Sequence, residues 1–195
     1  MVLIIGITGS TGVIYGIRML EVLSSMSDVE THLVISEAGE TIIRYETDKN
    51  LTDVRKLARY NYDIRDVAAQ ISSGSFMRDG MIVAPCTIKT MSAIANSYNE
   101  NLLIRSADVT LKERKKLLLM VRETPLHLGH LRMMEKLTEM GAVIMPPVPT
   151  FYTRPRTIEE IVDHTVGRML DIFNIEHSLF HRWSGCNPEG ENADR

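Results

Sequence analysis

The stretch Val2–Leu23, VLIIGITGSTGVIYGIRMLEVL, decides the fold. Val2–Ile7 is a short apolar run rich in β-branched residues, the pattern of a strand buried on both faces of a parallel sheet. Thr8–Gly12, TGSTG, is a loop of small residues and hydroxyls. From Val13 the apolar residues return at helical spacing, at Ile14, Ile17, Met19, Leu20 and Leu23. A strand, a Gly-rich turn and a helix in that order build an anion site. The helix start offers free N–H groups and a partial positive charge, and the glycines let a phosphate approach the backbone. The stretch therefore predicts a phosphate-bearing ligand.

The spacing narrows the choice. Glycines at 6, 9 and 12 do not spell the G-x-G-x-x-G dinucleotide fingerprint, and no Gly-Lys-Ser/Thr follows to make a P-loop. Glu37, at the end of the next strand, is a weak candidate for a ribose. Thr8, Ser10, Thr11 and Ser36 are better suited to hydrogen-bonding the phosphate of a mononucleotide.

Working outward, the chain alternates. Val29–Ser36 reads as a second strand and Glu37–Thr47 as a helix capped by Ser36. Thr52 is expected to cap a short helix over Asp53–Tyr60, with Asn61–Ala69 irregular and Ile71–Phe76 a polar loop. Met81–Ala84 reads as a third strand ending in Pro85-Cys86, and Thr87 opens a helix over Ile88–Ser97. Asn101–Lys115 is expected as one helix and Leu117–Val121 as a strand. His127–Met140 then reads as a helix stopped by Gly141, and Ala142–Met145 as the last strand. Thr157 caps a final helix over Ile158–Phe173. This alternation predicts an α/β fold, a doubly wound, mostly parallel sheet between two helical layers. In such sheets ligands bind at the carboxyl ends of the strands. TGSTG, Ser36, PCTIKT, RETP and PPVPTFY all fall there, so the chemistry-bearing loops converge on one edge.

A chain of 195 residues is most simply one domain, here 1–183 with a frayed tail over 184–195. A net charge of −3 with mixed signs gives no electrostatic reason to expect nucleic acid or an anionic membrane. Cys86 and Cys186 form no C-x-x-C, which fits a reducing cytosol. The apolar start is too short to span a bilayer and lacks a basic leader. The 12 methionines, a residue suited to adaptable interfaces, hint at an oligomer.

Several residues carry candidate chemistry. Thr87–Thr90, TIKT, repeats the strand–loop–helix geometry, so two helix starts would face one ligand. Arg122 suits phosphate through its two-pronged donor fork, and Glu123 beside it is placed to act as a general acid. Arg105, Lys112 and Arg114 share a charged helix. Glu46 ends a helix near an apolar loop. The pairing of Tyr152 with Arg168 does not follow from spacing. His127 and His130 are three apart without an accompanying acid or thiol set, so zinc is not expected. Cys86 reads as a small buried residue.

Taken in order, TGSTGVIYG, ISSGSF, DGMIVAPCTIKT, RSADVTLKERKKLLLMVRETPL, HLRMMEKLTEMGAVIMPPVPTFY and VDHTVGRMLD resemble the flavin prenyltransferase (UbiX) family. The resemblance runs from about Leu3 to Trp183. ISSGSF, the compact region from Glu46 to Ser72 and the ending HRWSG are most similar to its phenolic acid decarboxylase branch.

The resemblance implies a Rossmann-like, flavodoxin-type three-layer α/β/α subunit that binds reduced FMN and assembles as a dodecamer in the cytoplasm. It implies transfer of a dimethylallyl group from dimethylallyl monophosphate to the flavin, without a metal. The product, prenylated FMN, serves a separate UbiD-type decarboxylase. By motif, Gly9, Ser10, Thr11, Ser36, Thr87, Ile88, Lys89, Thr90 and Arg122 correspond to flavin-contacting positions. Tyr152, Arg168, Lys112 and Arg122 correspond to positions binding the prenyl phosphate, with Arg105 supplied by a neighbouring subunit. Glu123 corresponds to the acid that protonates the departing phosphate, and Glu46 to the acid acting after the first alkylation. Thr11 stands where many members have Ser; it keeps the hydroxyl and adds a methyl that stiffens its rotamer. Two further readings stand beside this one. The first is a non-catalytic FMN-carrying accessory component of a phenolic acid decarboxylase complex. The second, a cysteinyl decarboxylase on the same fold, is disfavoured by the missing Asn-rich clamp motif.

Overall fold

The computed structural model describes residues 1–183 and 185. Six strands, β1 (Val2–Ile7), β2 (Glu30–Ile35), β3 (Tyr60–Tyr62), β4 (Gly80–Cys86), β5 (Lys116–Val121) and β6 (Ala142–Ile144), form one sheet in the order β3-β2-β1-β4-β5-β6. Every pairing is parallel. Seven helices connect or flank them: α1 (Val13–Ser24), α2 (Glu37–Glu46), α3 (Leu51–Lys56), α4 (Ile88–Ala95), α5 (Leu102–Lys112), α6 (Leu128–Glu139) and α7 (Ile158–Ile172).

The strands are buried because successive side chains alternate between two apolar layers. Leu3, Ile5 and Ile7 of β1 join Ile82 and Leu118 on one face, against Ile17 and Leu20 of α1 and Val166 and Met169 of α7. Ile4, Met81, Val83, Leu117 and Leu119 point to the other face, against Ile94 of α4 and Leu103 and Ala107 of α5. All seven residues of β4 are buried, as befits a central strand. The doubly wound three-layer expectation holds. Gly16 lets α1 lie directly on β4: a Cβ there would sit 2.2 Å from the Ala84 carbonyl oxygen. The order in which strands are added reverses between β1 and β4, which makes the loops after those two strands the walls of the switch-point crevice.

Three local expectations are corrected. The cap of the short third helix is Asn50, whose side chain accepts from the Thr52 amide at 2.9 Å, so the helix begins at Leu51 and stops at Lys56 rather than running to Tyr60. Tyr60–Tyr62 is an edge strand paired with His32–Val34, where irregular chain was expected from Asn61. The long charged helix ends at Lys112, and Arg114, with a left-handed φ of 56°, turns the chain into β5. The expected tail over 184–195, and Cys186 with it, lies outside the described residues apart from Gly185. Among the described residues no helix is long and apolar enough to cross a membrane.

Candidate active site

The carboxyl ends of β1 and β4 are stitched together by Thr8. Its hydroxyl donates to the Pro85 carbonyl at 2.7 Å and accepts from the Thr87 amide at 2.9 Å, and its own amide donates to Pro85 at 3.2 Å. The Arg122 amide donates to the Cys86 carbonyl at 3.2 Å, and the Ser36 amide to the Ile7 carbonyl at 3.0 Å. The TGSTG, Ser36, TIKT and RETP segments are thereby held along one rim, as the sequence predicts.

Two of the three helix starts on this rim are already capped. Ser36 accepts from the Gly39 amide at 3.0 Å, and Thr87 accepts from the Thr90 amide at 3.1 Å. The third is different. Gly12, with φ 95°, begins α1 with no side-chain cap. Its amide donates to Glu46 Oε2 at 2.8 Å, so the carboxylate at the end of α2 reaches the glycine loop. The Ser10 hydroxyl is buried there with no hydrogen-bond partner. A buried hydroxyl left unpaired costs about 1–3 kcal/mol, and an acceptor arriving from outside removes that cost. Gly9 packs so closely on α2 that a Cβ would stand 2.3 Å from the Ala38 Cβ. An orphaned hydroxyl, an uncapped helix start and small residues on both sides fit the phosphate of a flavin mononucleotide.

The other nominated flavin contacts are less uniform. Thr90 is buried beneath its cap. Ile88 begins α4 next to Thr87. Lys89 points away into solvent and pairs with Glu100 at 3.1 Å. Glu37 pairs with Arg65, which removes it as a free ribose acceptor. Arg122 is exposed, as is Glu123, one of whose oxygens accepts from the Thr124 amide at 3.0 Å.

A second site lies between the loop after β6 and α7. It is a cavity of about 580 Å³, and its wall includes Tyr152, His164, Thr165, Arg168, Phe180 and Trp183. Tyr152 and Arg168, which spacing did not connect, share this cavity. The Tyr152 hydroxyl lies 3.2 Å from His164 Nε2. Burial, with the Arg168 charge as a second cause, pushes His164 below its ordinary value and favours the neutral ring. Tyr15, in the first turn of α1, is hydrogen-bonded to Thr165, so the cavity adjoins the helix that starts at the glycine loop.

Lys112 and Arg105 do not join either site within one chain. α5 ends at Lys112, four residues before β5 begins, and so delivers Lys112 to the amino edge of the sheet. There Lys112 pairs with Glu113, while Arg105 pairs with Asp108 at 3.5 Å. The sequence reading also missed Phe180, Arg182 and Trp183, which follow α7 and help to wall the cavity. The run of aromatics beside Arg182 was their only signal.

Residues 1–182 match the flavoprotein family. The chain is 55% identical to the flavin prenyltransferase UbiX of Thauera aromatica, over 99% of this chain and 98% of that one. It is equally 55% identical to the Escherichia coli K12 flavin prenyltransferase UbiX, over 94% and 98%. The crystal structure of AnUbiX in complex with FMN and dimethylallyl pyrophosphate superposes with a TM-score of 0.93 at 49% identity, covering 95% of this chain and 98% of that one. A dodecameric FMN-dependent UbiX-like decarboxylase from Escherichia coli O157:H7 gives 0.93 at 48%, covering 95% and 100%. An FMN-dependent cysteine decarboxylase, at 16% identity and a TM-score of 0.59, shares the fold alone. With near-full-length identity of this order, the chain belongs to the flavoprotein family and, within it, to the UbiX flavin prenyltransferases.

Proposed function

We propose that the chain joins a dimethylallyl group from dimethylallyl monophosphate to reduced FMN, in a cytoplasmic homo-oligomer, and that a UbiD-type decarboxylase uses the product. The reading is carried by the near-full-length identity to named flavin prenyltransferases, in a chain whose own flavin rim leaves the Ser10 hydroxyl waiting for an acceptor. When bound, reduced FMN supplies a central-ring nitrogen and a neighbouring benzenoid carbon as the two points of attachment.

The residues divide the work. Ser10, Thr11 and the α1 amides take the flavin phosphate, with Ser36, Thr87, Thr90 and Arg122 along the same rim. Tyr152 and Arg168 take the donor's phosphate in the adjoining cavity. Breaking the allylic carbon–oxygen bond places negative charge on that phosphate, so fixed guanidinium groups stabilise the transition state more than the ground state. Glu123, with an oxygen free of its Thr124 contact, donates a proton to the departing phosphate. Glu46, held on the glycine loop by the Gly12 amide, is positioned for proton transfer after the first bond forms.

The test is anaerobic incubation of the purified protein with reduced FMN and dimethylallyl monophosphate, followed by mass spectrometry of the flavin. A mass gain of one C5H8 unit is expected. FMN bound one per subunit and recovered unchanged would overturn the reading in favour of the accessory flavin carrier.

A further inference from the structure

The donor cavity needs more positive charge than α7 alone gives it. A phosphate ester carries up to two negative charges, and the described wall of the cavity includes one cation from a helix, Arg168. Lys112 and Arg105 stand on other parts of the same chain, and Arg122 is not part of the wall. The other cation in the wall is Arg182, from the segment that follows α7.

That segment is fixed against the helix by shape and by charge. A Cβ at Gly167 would lie 2.6 Å from both the His177 and the Phe180 rings, so the glycine is what allows close contact. Phe180 packs on His164 with ring centroids 4.3 Å apart, and Trp183 meets Tyr152 edge-on at 5.4 Å. Asp171 then takes both arginines. Its Oδ2 accepts from Arg168 at 2.9 Å and from Arg182 at 3.1 Å, and its Oδ1 accepts from Arg182 at 2.5 Å. Asp171 is 14% exposed, against 52% for Arg168 and 59% for Arg182. The carboxylate therefore sits behind the two guanidinium groups, outside the cavity wall, while the guanidinium groups front the cavity. The cluster keeps a net positive charge at its open side.

We propose that Arg182 is a second phosphate-binding cation of the Tyr152–Arg168 cavity, spaced from Arg168 by their shared carboxylate Asp171. The inference rests on the prenyl-phosphate reading of that cavity. It makes the segment after α7 part of the donor site rather than a trailing end.

The experiment is calorimetric titration of dimethylallyl monophosphate into the full chain loaded with oxidised FMN, where no transfer proceeds. Arg182 is exposed, so its variants are expected to melt with the parent. Arg182→Gln should weaken donor binding by about tenfold or more, and Arg182→Lys by about threefold, as loss or weakening of a charge-assisted hydrogen bond implies. FMN affinity should stay unchanged in both. Donor binding in Arg182→Gln equal to the parent's, or a parent that binds no donor, would overturn the inference. A parent that binds donor in an Arg182-dependent way yet makes no prenylated flavin would sink the proposed function and leave the inference standing.

Discussion

The Gly12 amide donates to Glu46 Oε2 across 2.8 Å, joining the end of α2 to the loop that starts α1. This contact is both structural and chemical. Glu46→Gln keeps an acceptor for the amide, whereas Glu46→Ala removes it. We expect Glu46→Gln to bind FMN as the parent does but to lose about tenfold or more in transfer rate, the size of a general acid–base contribution at its lower end. Glu46→Ala should lose FMN affinity as well. Flavin titration beside single-turnover rates separates the two.

Arg122 and Glu123 sit side by side on the exposed turn after β5, with roles that differ in charge. Glu123→Gln and Arg122→Ala should each slow formation of prenylated FMN by about tenfold or more. Only Arg122→Ala should also weaken FMN binding. Unchanged turnover in both would remove the RETP turn from the mechanism.

Gly9 has no room for a side chain. The Cβ of Gly9→Ala would stand 2.3 Å from the Ala38 Cβ, with Ala38 backbone 3.0 Å away, so α2 or the loop has to move. A destabilisation of about 1–3 kcal/mol is expected from such overpacking. Because the shift occurs in the loop that carries Ser10, FMN affinity should fall in the same variant. Denaturant unfolding and flavin titration check the two effects together.

His32 predicts an acid-sensitive fold. Its Nδ1 is 2.8 Å from the Tyr62 hydroxyl and its Nε2 is 2.9 Å from Glu30 Oε1, while Tyr60 stacks on the ring at 4.8 Å. Burial is the main cause pushing the ring below its ordinary value of 6.5; Glu30 opposes this, and Arg78 and Arg59 add to it. A histidine that takes its proton later in the folded state than in the unfolded one lets the unfolded state bind more protons between the two values. Stability is then full above the unfolded value and falls as pH drops through it. Denaturation midpoints should decline from about pH 7.5 to about pH 5.5, and His32→Gln should flatten that slope. Some slope will remain, because burial lowers His164 in the same direction.

Much of this architecture was legible because strong periodicity and strong caps coincide. Ser36, Asn101 and Thr157 each accept a hydrogen bond from an amide in the first turn of the helix they precede. Where two caps compete, local pattern fails: Asn50 and Thr52 both qualify, and the tertiary fit selects Asn50. The edge strand Tyr60–Tyr62 escaped notice because three residues with a central Asn give almost no alternation to read. The flavin rim was readable from strand–glycine–helix order, which is local. The donor cavity was not, since Tyr152, His164 and Arg182 meet only through packing of α7 and the chain after it. The far placement of Lys112 was implicit in the topology: a helix that runs directly into a parallel strand must end at that strand's starting edge.

That placement has a genetic consequence. On the proposed function, Lys112 and Arg105 serve a phosphate only when another copy of the chain presents them. A protomer lacking the lysine is therefore defective as a lender but sound as a host, and one lacking Glu123 is the reverse. Co-assembled from two inactive parents, such a mixture should regain live centres by complementation, which neither parent alone can form.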